Sequence, residues 1–543
     1  MRWHHFLRNY DTAGGLFFVS IGEKLTTPPG WRGWRRRLMP VRWTLVLSGV
    51  CIILAGCATT GIYYENLNSL VRDGRYREAV SLVDGDPGAK DFYTSKNELL
   101  YWLDKGFLSH LSGEYGESNL AFEKAKKISE ELFTKSITAE ASTFLISDNM
   151  RPYAGEDFER VLINIFSALN YVLLNDYENA LVELRQVDNL LKTFETVYDG
   201  KTSYREDAFA RYLAGLIYEA AGEINDAHIS YLRALEAYKN YYEKNYGVSV
   251  PRELVADAVR TAAQLGFYQR VEELKKEYHY YEASPARKSE KEGKGGKASY
   301  DNPEIIVIIY AGLSPVKIDN FFEISFGRAW LYVGSVQAHD ENETGDVERA
   351  RRIARSIAAE EQVVMAFPKY VPSEYRARSF TVKVSAPRQK DENRITETEG
   401  DIMRVVEPSL SEDIGAIATK SLEERIGRIR IKTIARAAVK YALSKKISSD
   451  VARSSGDKTL AWLTQKILTL ASTATELADK RSWRTLPDKI FIARTGALPA
   501  DGKYDLIVDF KNDYGEVIAS KVIKDVSPPI GGRKRFIVLR SAV

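Results

Sequence analysis

Two settings in this sequence could support chemistry: Cys57, a thiol at the end of an apolar run, and Ser314, three residues ahead of Lys317. A hydroxyl one helical turn before an amine can pass it a proton and attack an acyl group, provided a helix stacks the two. Pro315 lies between them in a stretch flanked by strand signals, so no helix is expected and the pair is set aside. Gly293-Lys-Gly-Gly-Lys-Ala-Ser299 has the glycines of a phosphate loop but lacks both the Gly-Lys-Ser/Thr ending and a preceding strand, and reads as solvated linker. His110, His228, His279 and His339 are scattered, with no metal-ligand spacing, so no metal is expected.

Cys57 is different. The run from Trp43 to Gly56 is shorter than the roughly 20 residues a membrane helix needs, yet it suits the apolar core of an export signal. Basic Arg42 precedes it, and Leu54-Ala55-Gly56-Cys57 closes it, followed by polar Ala-Thr-Thr. Those four residues resemble the bacterial lipobox. The resemblance implies cleavage before Cys57, a covalent lipid such as palmitate on that residue, and no other cofactor. An uncleaved anchor or a buried strand is the competing reading. Ala58 stands where an Asp would suggest inner-membrane retention, so the resemblance further implies the outer membrane, facing the periplasm. The leader is long for a signal; Met39 is expected as the true start, with an extended export signal through Arg35-Arg36-Arg37 as the alternative.

The chain has 543 residues and a net charge of +3, but the basic surplus is local. Residues 1–57 hold eight Lys/Arg against Asp11 and Glu23; removing these from the totals of 77 and 74 leaves 69 basic and 72 acidic residues. The body is therefore slightly acidic, and no nucleic-acid partner is expected. Cys51 and Cys57 are the only cysteines, so a chain starting at Cys57 forms no internal disulfide.

Residues 58–283 read as helix after helix, divided by short Gly/Asn/Asp breaks. Four breaks share a pattern: Gly74-Arg-Tyr76-Arg-Glu-Ala79, Gly113-Glu-Tyr115-Gly-Glu-Ser118, Asn175-Asp-Tyr177-Glu-Asn-Ala180 and Gly222-Glu-Ile224-Asn-Asp-Ala227. The second adds Trp102, Gly106, Phe122 and Ala125, and the fourth adds Gly215, Tyr218, Tyr231 and Ala234 at matching offsets. This resembles the tetratricopeptide repeat, in which small residues admit close helix packing and aromatics fill the gap between hairpins. Copies 39, 62 and 47 residues apart depart from the roughly 34 of a regular array. A weaker fifth hairpin is expected near Gly266-Phe-Tyr268.

Residues 284–302 read as a linker. Strands are expected at Glu304–Tyr310, Phe321–Phe326, Ala329–Val333, Gln362–Phe367 and Ser379–Ser385, then at Lys489–Ala493, Tyr504–Phe510, Val517–Ile523 and Arg535–Leu539. Helical periodicity from about 412 to 481, with a turn at Ser448–Asp457, suggests a long helical hairpin between the two strand sets. The expected fold class is α+β and multidomain. A leader (1–57) precedes an all-α repeat array (58–283) and a linker (284–302). A β-sandwich-like domain (303–390 and 486–543) follows, interrupted by a helical insertion (391–485).

The whole chain resembles the tetratricopeptide-repeat-containing outer-membrane lipoproteins of Gram-negative bacteria, a family with no activity established for it. Tyr310-Ala-Gly-Leu-Ser-Pro-Val316 and Arg481-Ser-Trp-Arg-Thr-Leu-Pro487 carry part of that resemblance. Ser147-Asp-Asn149 and Arg494-Thr-Gly496 are similar to two penicillin-binding elements, but Ser147 precedes Ser314, the reverse of that family's order, so no catalytic residue is assigned. The expectation is a non-catalytic scaffold, lipid-anchored at Cys57, with a protein or peptide partner on the helical repeats and a second envelope component on the β domain. Assembly of a secretion, surface-polymer or wall-synthesis complex would fit. The alternative is an envelope hydrolase or transferase whose site forms from residues distant in sequence. Oligomeric state is not legible.

Overall fold

The computed structural model describes residues 63–138, 148–198, 202, 204–280, 303–325, 362–385, 401–455, 477–499, 502–529 and 534–541. Cys57, its Leu54-Ala55-Gly56 signal, Met39, the 284–302 linker and the strand expected at 329–333 lie outside these residues. Residues Thr60–Val543 form one compact unit. Helices fill the N-terminal part and sheets the C-terminal part.

The helices pair as antiparallel hairpins: α1 (63–72) with α2 (Tyr76–Gly85), α4 (Glu98–Ser112) with α5 (Tyr115–Thr138), α6 (Asp157–Leu173) with α7 (Tyr177–Val197), α8 (Ala208–Ala221) with α9 (Ile224–Ala237), and α11 (Arg252–Gln264) with α12 (Tyr268–Glu277). Short α3 (Pro87–Phe92) and α10 (Glu243–Tyr246) lie between them. Turn chemistry is local and repeated. Gly222 ends α8 at φ +91°, a left-handed conformation that costs glycine nothing, and Asn175 takes the same region at φ 62° in the third hairpin. Aspartates then start the helices: Asp176 accepts from the Asn179 amide and Asp207 from the Ala210 amide.

Close packing within a hairpin rests on glycine. A Cβ placed on Gly215 would sit 2.3 Å from the Tyr231 ring, and one on Gly106 would sit 2.5 Å from the Phe122 ring. Tyr231 is tethered by its hydroxyl, which donates to Glu219 Oε2 at 2.6 Å, so its ring has nowhere to retreat. Gly215→Ala is expected to cost about 1–3 kcal/mol through overpacking, and Gly106→Ala less, because Phe122 has no polar tether. Urea unfolding of the two variants checks the ranking.

Two four-stranded sheets follow, in the orders β10-β1-β7-β6 and β5-β4-β8-β9. The strands are β1 (Glu304–Ala311), β4 (Ser379–Ser385), β5 (Ile402–Val406), β6 (Ser409–Asp413), β7 (Lys489–Ala497), β8 (Tyr504–Lys511), β9 (Val517–Val526) and β10 (Lys534–Ser541). β2 (Val316–Ser325) and β3 (Gln362–Val371) form a separate ribbon. Each four-stranded sheet mixes strands from both ends of the β region. β1 lies parallel to β10 and antiparallel to β7, and β4 pairs with β8.

All eight residues of β1 are buried, which its unbroken apolar run requires. Ile305, Val307 and Ile309 pack with Val382, Val384, Leu506 and Val508 of the second sheet. Ile306, Ile308 and Tyr310 point the other way, into the core that the helices share. The layers therefore run helices, first sheet, second sheet.

The 391–485 region is not wholly helical. β5 and β6 fall within it, and the turn expected at Ser448–Asp457 is absent as far as Ser455, because α13 runs unbroken over Ile414–Ser455. Its serines do not break it: Ser444, Ser449 and Ser454 donate their hydroxyls to carbonyls three residues back, satisfying themselves within the helix. β6 escapes notice because Ser409, Glu412 and Asp413 have no strand-like apolar alternation; it pairs with β7 on one edge and meets helices through Ser409 at Glu253 and the Ser411 carbonyl at Tyr238.

Candidate functional site

An array of hairpins offers two faces, and here the inner face, lined by the first helix of each pair, is filled by the chain's own β region. Trp483, 1% exposed, inserts its ring edge-on between Phe107 of α4 (6.0 Å between centroids), Phe166 of α6 (5.9 Å) and Phe122 of α5 (6.0 Å). Tyr310 of β1 meets the same Phe107 and Phe166 at 5.8 and 5.7 Å.

Polar groups accompany the aromatics along this seam. Asn170 donates to Ser118 Oγ and Asn119 Oδ1, leaving its Oδ1 as acceptor toward His110 Nδ1 at 2.6 Å. His110 therefore carries its proton on Nδ1 and accepts from the Tyr310 hydroxyl at Nε2, 3.1 Å away. Thr485 and Tyr93 donate to the two oxygens of Asp104, each at 2.7 Å, and Trp483 Nε1 donates to Thr485.

Burial shifts these two groups in opposite senses. It pushes Asp104 up to about 6, against the pull of Tyr93, Thr485 and Arg484, and it lowers His110 to about 4 despite Asn170. A raised carboxyl contributes stability that is complete below its unfolded pKa and is lost as pH rises through 6. A depressed imidazole contributes stability that is complete above its unfolded pKa and is lost as pH falls through 4. Between pH 4 and 6 the two slopes oppose and nearly cancel. Asp104→Asn keeps the bond from Thr485, turns its amide N–H toward the Tyr93 hydroxyl as donor and removes one slope, so across that window it should gain about 2–3 kcal/mol on the parent. Urea titrations at pH 4 and pH 7 read the difference.

Three cations and three carboxylates, all but Arg260 largely buried, bind α8 and α11 to the first sheet. Arg494 of β7 forks onto Glu304 of β1 (2.7 and 2.5 Å) and also reaches Asp257 of α11. Lys534 of β10 bridges Glu304 (3.0 Å) and Glu219 of α8 (3.2 Å). Arg260 closes the ring on Glu219 and Asp257, at 2.7 Å each. Burial works to raise Glu219 and Glu304, but Lys534 and Arg260 hold Glu219 down at about 2, and Arg494 and Lys534 hold Glu304 well below the usual carboxylate range.

At the N-terminus of α6 a second set forms. Lys317 donates to Glu156 at 2.5 Å, Arg425 of α13 pairs with the same carboxylate, and Glu159 accepts from the Trp483 amide at 2.7 Å. Glu412 and Asp207 make a third, with no cation against them among their named neighbours. Burial, then the charge of Asp207, raises Glu412 well above the usual carboxylate range; burial also raises Asp207, with Glu206 adding to it and the Ala210 amide and the Tyr204 and Tyr242 hydroxyls opposing it. Tyr238–Tyr242 is a π-helical turn, and its hydroxyls meet β6 at the Ser411 carbonyl and Glu412.

The fragments that looked catalytic are placed within these networks. Ser314 donates to the Trp483 carbonyl and Lys317 is engaged with Glu156, so neither faces the other. Asn149 donates to the carbonyls of Leu477 and Ala478, and Arg494 belongs to the ionic ring. Among the described residues no cluster of His, Cys, Asp or Glu could hold a metal, and no helix is long and apolar enough to cross a membrane.

The repeat residues named from sequence sit at the hairpins. Phe122, Ala125, Ala180, Ala227, Tyr231 and Ala234 are buried; Trp102, Tyr177 and Tyr218 pack partly buried against the core. Gly113 and Gly222 cap α4 and α8, and Tyr115 lies 5.9 Å from His110. Sequence reasoning missed the ionic ring. Its signal was charge on an apolar face: Asp257 within Val-Ala-Asp-Ala-Val, Glu219 within Ile-Tyr-Glu-Ala-Ala, and Glu304 and Arg494 inside strands.

The outer face of the array remains in solvent. Leu120, Val182 and Ile229 occupy the same place in three successive hairpins, each seven residues after the turn residue, and are 63%, 43% and 42% exposed. At the tips beside them stand exposed Glu114, Glu117, Glu178, Glu223 and Asp226. A shallow groove runs past Phe267, Tyr268, Arg270 and Glu273 at the last hairpin.

No family model matches the chain, and no curated protein matches it. Among solved structures, the crystal structure of BtubC (BKLC) from P. vanneervenii aligns over 45% of this chain and 97% of its own, at 16% identity and a TM-score of 0.26. That similarity is too slight to carry an argument about fold or function.

Proposed function

We propose that this chain is a lipid-anchored scaffold at the outer membrane, facing the periplasm, tethered by acylation of Cys57. It belongs by this reading to the tetratricopeptide-containing lipoproteins, with hairpins of that repeat type and a β-sandwich-like second half, and it holds other envelope proteins together without transforming them. The supporting observation is the apolar row Leu120, Val182 and Ile229, repeated across three hairpins on the outer face. The inner face, where an open array would take a peptide, is occupied by Trp483 and β1, so the partner sits on the second helices. Apolar residues framed by carboxylates suit a partner surface of apolar and basic side chains.

The test is photo-crosslinking in intact cells from a position beside Val182. The triple variant Leu120→Asp, Val182→Asp, Ile229→Asp changes only exposed side chains and should fold. It should lose at least tenfold of the crosslinked protein, while Cys57→Ser should abolish palmitate incorporation and envelope fractionation. An unchanged crosslink pattern in the triple variant, or full membrane retention without Cys57, overturns the proposal.

A further inference from the structure

A sheet edge presents unpaired N–H and C=O groups, and folds that do not use an edge blunt it. Of the four edges of the two four-stranded sheets, three are managed. β6 lies against the helices, held by Tyr238 at the Ser411 carbonyl and by Ser409 on Glu253. β10 packs on α6 and α8 and sends Lys534 and Arg540 inward, the latter to the carbonyls of Thr485, Gly312 and Leu486. β9 shifts register twice against β8, holds Asp525 at φ +56° and shows Lys521 and Lys524 to solvent.

β5 is the exception. Ile402, Met403 and Val405 are 52%, 53% and 57% exposed, so apolar side chains stand out from this five-residue edge. Among the described residues only β4 pairs with it. Its one cation, Arg404, is turned toward the carbonyls of Thr495 and Ala497, while exposed Asp401 and Glu407 bracket the strand. The edge thus reads acidic, apolar, acidic.

That order selects among occupants. A second copy paired antiparallel about Arg404 would set Asp401 opposite the Glu407 of the other copy at both ends, a like-charge juxtaposition that disfavours it. The geometry points to β5 as a strand-addition site for an extended segment of another protein, apolar at alternate positions and flanked by lysine or arginine. Main-chain hydrogen bonds would supply affinity, and Asp401 and Glu407 would set the register. This deepens the scaffold reading by giving the β region its own partner chemistry.

The purified full chain is titrated with the fluorescent peptide Lys-Val-Thr-Val-Thr-Val-Lys and with the same peptide flanked by glutamates. The lysine-flanked probe should bind at least tenfold more tightly and protect the amides of residues 402–406 from hydrogen exchange. Asp401→Lys with Glu407→Lys, both at exposed positions, should reverse the preference with the far-UV spectrum unchanged. Equal binding of the two probes, or a preference that survives charge reversal, overturns the proposal. So does a concentration-dependent dimer that Val405→Lys dissolves, which would assign the edge to a second copy. Neither Cys57 nor the Leu120 row enters this measurement, so its failure is separable from failure of the scaffold reading.

Discussion

Arg494→Met should destabilise the fold by about 3–5 kcal/mol, because it leaves buried carboxylates without their shared cation. Arg260 would remain on Asp257 and Glu219, and Lys534 on Glu304 and Glu219, so two cations would be left to balance three carboxylates. Arg494→Lys should fall between, since a single ammonium cannot reproduce the fork onto Glu304 and Asp257 together. A second change tests the logic. Adding Glu304→Gln to Arg494→Met restores balance, pairing Asp257 with Arg260 and Glu219 with Lys534, so the double variant should recover much of the loss. Urea unfolding of the four species gives the coupling as a double-mutant cycle. Additive losses would mean that the ring is a set of independent contacts.

This ring also shows where sequence reading stops. Helix hairpins were legible because their signals are local: Gly222 at a turn, Ala227 five residues on, and Gly215 sixteen residues before Tyr231. Most strands were legible for the same reason, since apolar runs such as Glu304–Ala311 announce burial on both faces. What joins the halves is not local. Arg494 meets a helix residue 237 positions earlier, and Trp483 takes its place from Glu159, 324 positions away. Nothing in the neighbourhood of either residue names its partner. The expected boundary at 284–302 marked a change of composition, while the packing on either side of it, from Phe107 to Tyr310, belongs to one core. β6 was missed for a related reason: its polar side chains meet helices and show no alternation, so nothing local sets it apart from the helical insertion expected over 391–485.

Trp483→Ala asks whether that shared core is one cooperative body. Trp483 comes from a stretch without regular structure, yet its ring lies between three phenylalanines, its amide is held by Glu159, and its carbonyl accepts from Ser314. Truncation should cost about 3–5 kcal/mol, combining lost burial with a cavity that Phe107 and Phe166 cannot collapse to fill while both also pack on Tyr310. Trp483→Phe keeps most of the ring and forfeits only the Thr485 hydrogen bond with some volume, so its cost should be clearly smaller. The discriminating readout is hydrogen exchange. If the inner face is closed by the sheet, amides in α4, α6 and β1 should lose protection together in the alanine variant, since each lines the same void. Should α4 and α6 keep parental protection while β1 loses it, the array would hold its shape unaided. Its inner face would then be a groove that the sheet merely covers, and the partner surface would have to be sought there and not on the second helices.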